Sequence, residues 1–291
     1  MAFTAQGVVV QETCPQAFEG DPDEEEQVYR LGFVEARHPA AILKRRHFRN
    51  VHHQIMGEPV GVFHVSRYAL RVMVPHLPDV RNLLRISKAI AMLDAILSPE
   101  WQYRYYSFNS KWATGTQMAS MRNGEGDDYF ILFNRYGAIL KGYAHESIAA
   151  RSVVVHDKPL PGMFDGVPEE FGGFLTEPAF SINETTFCFW RRNEDVAGGS
   201  GTIRYPAGSD PGGASELLAI LEGDPECYVR WARHYYRRRR PRNSESGMPV
   251  DASAVRQVYQ HEPLTERLVQ ALNPQVTLHQ LAGDIEEIGY P

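Results

Sequence analysis

The pattern of apolar and polar positions is sharpest in two places. Between Asp79 and Pro99, Leu83, Ile86, Ile90, Leu93 and Leu97 recur at steps of 3, 4, 3 and 4. That spacing lines one face of a helix, with Asp79 as N-cap and Pro99 as the stop. Over 117–144 the pattern turns to strands. Residues 117–122 read as a short strand, and 123–128 as a loop whose glycines permit positive φ. Residues 129–133 and 138–144 read as strands joined by the tight turn Asn134-Arg135-Tyr136-Gly137. Tyr129, Ile131 and Phe133 on one side and Phe130 and Leu132 on the other are all apolar. Such a strand belongs in the middle of a sheet covered on both faces.

Elsewhere the signals are shorter. Residues 185–192 predict a strong strand, 194–201 a turn and 202–205 a returning strand. Residues 148–184 are rich in proline and read mostly as loop, with a short amphipathic helix over 167–175 opened by Pro168. The C-terminal third is helical: 216–221 after Ser215, a longer helix capped by Asp224 with Tyr228, Trp231 and Tyr235 on one face, then helices from Asp251 or Ser253 through Tyr259, over 263–272 and over 278–285. The fold class is therefore α+β. It is expected to have a mainly antiparallel sheet with a central hairpin (about 117–144 and 185–205) packed against helices, and a helical C-terminal third. The boundary falls near residue 78. An N-terminal segment, 1–78, holds candidate strands at 8–10 and 28–36, an acidic loop at 19–26, a basic stretch at 37–53 and an apolar run at 61–74; an α+β core domain spans 79–291.

Composition adds limits more than it adds chemistry. The chain has 291 residues, of which 43% are hydrophobic and 11% aromatic, enough for a real core and too much for a disordered chain. Thirty-six acids against 30 Lys+Arg leave a formal charge of −6, which gives no overall nucleic-acid signal. Cys14, Cys188 and Cys227 are few, scattered and odd in number, so they read as free thiols in a reducing compartment. No secretory signal is visible and no apolar window reaches membrane-spanning length. The expected location is cytoplasmic.

Motifs for phosphate loops, dinucleotide binding, zinc proteases and serine hydrolases are absent. Gly198-Gly199-Ser200-Gly201 is glycine-rich but bridges two strands and opens no helix. No cofactor, metal site or catalytic residue is expected. The candidate binding residues lie around the central hairpin: Trp112, Glu125, Asp127, Asp128, Tyr143, His145 and Glu146. The acids suit recognition of a basic partner, or simply form a solvated loop. His145 and Ser147 would share one face of a strand, which permits a base and a nucleophile. Residues 101–112 carry six aromatics in twelve positions, fit for stacking on bases, for a partner face or for a helix–sheet seam. The basic tracts 37–53 and 237–242 offer a polyanion patch, or solvated faces.

The run Asp128-Tyr129-Phe130-Ile131-Leu132-Phe133, with Gly137-Ala138-Ile139 and Gly142-Tyr143-Ala144-His145-Glu146, resembles the sheet segment of SUKH-type toxin-immunity domains. Pro168-Glu169-Glu170-Phe171 with Phe174-Leu175 is similar to their proline-led helix, although here it follows the sheet instead of preceding it. The blocks Glu177-Pro178-Ala179-Phe180, Thr186-Phe187-Cys188-Phe189-Trp190 and Ile288-Gly289-Tyr290-Pro291 resemble a bacterial family of unassigned activity. The resemblance covers at most 79–291. It implies a cytosolic protein-binding module, an immunity protein that neutralises a bacterial toxin in a toxin–antitoxin pair by direct binding. Two alternatives stay open: a hydrolase or nucleotide-processing enzyme with a site near His145 and Glu146, and a nucleic-acid binder using the basic tracts.

Overall fold

The computed structural model describes residues 77–238 and 250–291. The expectations for 1–76, including the basic stretch at 37–53, lie outside the described residues. So do positions 239–242 of the second basic tract.

Six antiparallel strands form one sheet in simple sequence order. They are β1 (Tyr106–Ala113), β2 (Thr116–Arg122), β3 (Asp128–Asn134), β4 (Gly137–Tyr143), β5 (Phe187–Arg192) and β6 (Gly199–Ser200). Among the described residues the helices are α1 (Val80–Leu97), α2 (Ile148–His156), α3 (Gly172–Leu175), α4 (Ala214–Leu218), α5 (Pro225–Arg238), α6 (Ala252–Tyr259), α7 (Glu266–Leu272) and α8 (Ala282–Ile288). The fold is the α+β arrangement expected, with the central hairpin β3–β4 in place and helices gathered in the C-terminal part.

The hairpin register explains why both faces are apolar. Asp128 pairs with Tyr143, Phe130 with Lys141, Ile131 with Leu140 and Leu132 with Ile139. One face carries Tyr129, Ile131, Phe133, Ala138 and Leu140 into a core shared with α1 and the C-terminal helices. The other carries Phe130, Leu132 and Ile139 into a second core with Met163, Phe171, Phe174 and Phe180 from the β4–β5 connection. Gly142 is required by this packing. A Cβ there would lie 2.1 Å from the Phe187 ring of the neighbouring strand.

Helix α1 starts where Asp79 predicts, its carboxylate accepting the Asn82 N–H. Its C-terminal half departs from the single stripe: every residue from Ala89 to Leu97 is buried. The sheet takes one side of the helix and α6, α7 and α8 take others. Asp94 is enclosed with the rest. Its Oδ2 accepts the Tyr105 and Tyr106 N–H groups (2.8 and 3.0 Å), and its Oδ1 accepts the Tyr228 and Tyr236 hydroxyls (2.8 and 3.0 Å). One carboxylate thus ties α1 to the start of β1 and to α5. Around it Tyr105, Tyr106, Trp231 and Tyr235 pack ring to ring at 4.5–5.2 Å. The aromatic run after α1 is therefore, in its middle part, the helix–sheet seam.

Several expectations are corrected. The returning strand after β5 is Gly199–Ser200, not 202–205. Ile203 instead fills the second core, and the Tyr205 hydroxyl reaches back to the Thr186 carbonyl. The proline-rich stretch contains α2, and β1 emerges from a segment with no clean alternation. Helix α4 is capped by Asp210, whose carboxylate accepts the Ala214 and Ser215 N–H groups, so Ser215 is already inside the helix. Cys188 is a free, buried thiol, as expected.

Burial pushes the Asp94 carboxyl up to about 6, with its four hydrogen bonds opposing. Between the unfolded value near 4 and that folded value, the native state holds a proton that the unfolded chain lacks. The contribution of Asp94 to stability is thus full at low pH and is lost as pH rises through about 6. Asp94→Asn should flatten the pH dependence of chemical denaturation between about pH 4 and 6. Asp94→Ala strands two backbone donors and should cost about 3 kcal/mol at neutral pH.

Candidate functional site

The loop between β2 and β3 is held by its own first residue. Asn123 Oδ1 accepts the N–H groups of Glu125, Gly126 and Asp127 at 2.8, 3.1 and 3.0 Å. An asparagine side chain does this readily because its amide oxygen substitutes for a backbone acceptor two to four residues on. The Asn123 amide also donates to Asp127 Oδ2 at 2.7 Å. Asp127 Oδ1 accepts the His145 backbone N–H at 2.8 Å and faces His145 Nδ1 at 2.6 Å. The β2–β3 loop is therefore latched to the segment leaving β4. Gly126 is needed here: at φ +122 it lets the imidazole lie close, where a Cβ would come within 3.2 Å of the ring.

A carboxylate oxygen accepts, so in this contact His145 Nδ1 is the donor and the imidazole is held with Nε2 turned outward. Nε2 lies 3.7 Å from Glu146, whose side chain is 90% exposed. The arrangement gives an oriented imidazole at a solvent-facing rim. Ser147 does not join it. Its hydroxyl accepts the Ala150 N–H as the N-cap of α2, and no hydrogen bond to His145 exists.

Beneath this rim lies a buried ion pair. Lys141 Nζ, on β4, donates to Asp128 at 3.0 Å and to the Glu184 carbonyl at 2.9 Å, and stands 5.2 Å over the Phe130 ring. Arg122, opposite Asp128 on β2, covers the same ring at 5.1 Å. Burial pushes the Lys141 ammonium down and the Asp128 carboxyl up, while their mutual attraction opposes both shifts. The Tyr143 hydroxyl is held above its ordinary range by partial burial and by the charges of Glu184, Asp127 and Asp128. It keeps its proton at neutral pH and remains a donor.

Of the expected residues, the structure brings together Asp127, Asp128, Tyr143, His145 and Glu146, with exposed Glu125 at the loop tip. Trp112 lies elsewhere. It is at the β1–β2 turn, one strand length from the rim (about 20 Å), where it stacks on Phe180 at 5.8 Å against the second core. Arg122, Asn123, Lys141 and Glu184 were not foreseen. A lysine inside the apolar strand Gly137–Tyr143 was a usable signal, because a buried ammonium demands a carboxylate. Glu184 is distant in sequence and carries no such signal.

A small apolar cleft of about 50 Å³ lies at the other end of the sheet, lined by Leu77, Leu83, Ala138, Phe189 and Arg191 among others. Arg191 pairs with Ala138 next to the β3–β4 turn, so strand length separates it from His145. Among the described residues no three His, Cys, Asp or Glu side chains are placed to hold a metal ion, and no helix is long and apolar enough to cross a membrane.

Lys141→Met should destabilise the protein by about 3 kcal/mol in denaturant titrations, because Asp128 is left without its cation. Combining it with Asp128→Asn should recover part of that loss. Asp127→Ala should cost about 1–2 kcal/mol and speed hydrogen exchange at the His145 amide.

No protein-family model, no curated protein and no solved structure matches the chain.

Proposed function

We propose that this chain is a protein-binding module whose contact surface is the acidic rim formed by the β2–β3 loop and the segment leaving β4. The observation that carries the reading is the latched rim itself. Glu125, Glu146 and Glu184 are exposed around Asp127 and His145, while the neighbouring Lys141 is buried and already committed to Asp128. An array of carboxylates speeds encounter with a basic surface and rejects acidic ones. Tyr143 adds an aromatic donor of the kind that anchors interfaces.

The partner best suited to this surface is a basic protein. The likeness of the hairpin to SUKH-type immunity domains supports a toxin in that place, neutralised by occlusion of its own basic site. Co-expression with the product of the adjacent gene should give a complex on size-exclusion chromatography and rescue growth. Neither complex nor rescue would count against the toxin reading.

A second reading is favoured by one observation, the Asp127-oriented imidazole. It makes His145 a candidate base for a hydrolase or nucleotide-processing reaction. The other groups such a reaction needs are not assembled: Ser147 is engaged as a helix cap and Arg191 lies at the far end of the sheet. The nucleic-acid reading rests on tracts that fall mainly outside the described residues.

The combined variant Glu125→Gln/Glu146→Gln/Glu184→Gln should slow association with a basic partner by about tenfold at low salt. The effect should shrink at high salt, and dissociation should change little; stopped-flow or surface plasmon resonance measures both.

A further inference from the structure

The rim proposed as a contact surface makes no use of the buried pair beneath it. The Lys141 side chain is 0% exposed and that of Asp128 21%. The neighbours of Lys141 in register are Phe130 on β3 and Cys188 on β5, both buried and apolar. Asp128 lies diagonally opposite, two residues before Phe130 and on the same face of the sheet. Nζ therefore meets Oδ1 at 3.0 Å, and its bond to the Glu184 carbonyl at 2.9 Å fixes its direction.

Enclosure that penalises an ion pair also prepares it to react. Low-dielectric surroundings favour the neutral form of each group, which pushes the ammonium down and the carboxyl up. A proton passing from Nζ to the carboxylate leaves an amine against a carboxylic acid. A desolvated lysine amine is a nucleophile. Strand register holds the two in contact, and well-oriented intramolecular reactions reach effective concentrations of about 10⁵–10⁸ M. The charges that a polar transition state needs are also close. Arg122 is the β2 partner of Asp128, and its charge acts on the carboxyl. The Glu184 carboxylate acts by its charge on both groups.

We propose that Lys141 and Asp128 join in an intramolecular isopeptide bond that forms spontaneously in the folded chain. Nζ adds to Asp128 Cγ, and Arg122 offsets the charge of the resulting oxyanion. A proton from Nζ passes by way of the Glu184 carboxylate to the departing oxygen. The Cγ–O bond breaks, the carbonyl reforms, and one molecule of water leaves. Nothing is oxidised or reduced, and a neutral amide replaces two opposite charges. The apolar cover then keeps water from the amide. The bond braces β3 to β4 beneath the rim whatever the rim binds, so the inference does not rest on the binding reading.

Intact-mass spectrometry of the full chain, folded and then reduced and denatured, tests it. The wild-type protein should be lighter than its sequence by one water, and Lys141→Arg and Asp128→Ala should not. Trypsin locates the bond. In an unlinked chain, cleavage after Arg122, Arg135, Lys141 and Arg151 frees 123–135, 136–141 and 142–151 separately. In a linked chain Lys141 is no longer cleaved, and 123–135 stays joined to 136–151 as a branched species. This readout uses the wild-type protein and does not depend on whether a variant folds. Chain purified in denaturant should give the separate peptides and should lose its water on refolding. Glu184→Gln should slow that loss about a hundredfold; an unchanged rate overturns the part given to Glu184. A wild-type mass equal to that of the sequence overturns the proposal. So does a mass lower by one water with 136–141 still released, which puts the dehydration at another residue.

Discussion

Strands β3 and β4 have no face to give to water. Their side chains are apolar above and below the sheet, so the fold must supply two layers of cover. The helices supply one. The long β4–β5 connection supplies the other through Phe171, Phe174 and Phe180, set on short helical turns. This requirement accounts for the plain meander order, because all the elaboration is spent in covering layers and none in the sheet. It also accounts for the position of the polar groups. With the middle of the hairpin sealed, charge collects at its ends: the Asn123–Asp127 loop and its neighbours at one, the Asn134–Gly137 turn and Arg191 at the other.

Two buried charges interrupt the apolar layers, and they are handled differently. Lys141 is matched by an anion, a carbonyl and an aromatic face, so its cost is met locally. Asp94 has no cation among its hydrogen-bond partners. Four neutral donors converge on it from the start of β1 and from α5, but burial outweighs them and its proton affinity rises. The first group fixes the edge of the candidate site. The second ties α1 and α5 to the start of the sheet.

The elements that were legible in the sequence are those with a strong local pattern. Helix α1 had its stripe and its Asp79 cap, and β3–β4 had a tight turn between apolar runs. The α5 and α6 starts were marked by Asp224 and Asp251. Strand β1 was missed because a register shift between Asn109 and Ala113 breaks its alternation. Helix α2 was missed because its apolar residues point both ways, which erases the moment by which a helix is recognised. At the site, Asp127, Asp128, Tyr143, His145 and Glu146 were legible because turn and strand end are neighbours in a hairpin. Arg122, Lys141 and Glu184 depended on the register of β2 with β3 and on the return of the chain to β5. The separation of Trp112 from the rim depended on strand direction. None of these has a local signal.

The Asn123 latch has a consequence for recognition as such. A five-residue loop left to itself samples many conformations, and a partner that bound it would have to select one. Here three backbone N–H groups, one carboxylate and one imidazole are already fixed by hydrogen bonds within the loop and to the end of β4. The ordering entropy is lost during folding and not at encounter. A partner therefore meets a rigid template, and a surface that departs from it by an ångström or two gains little from the loop's yielding. On the binding role proposed above, selectivity among similar basic surfaces then comes from shape as well as from charge.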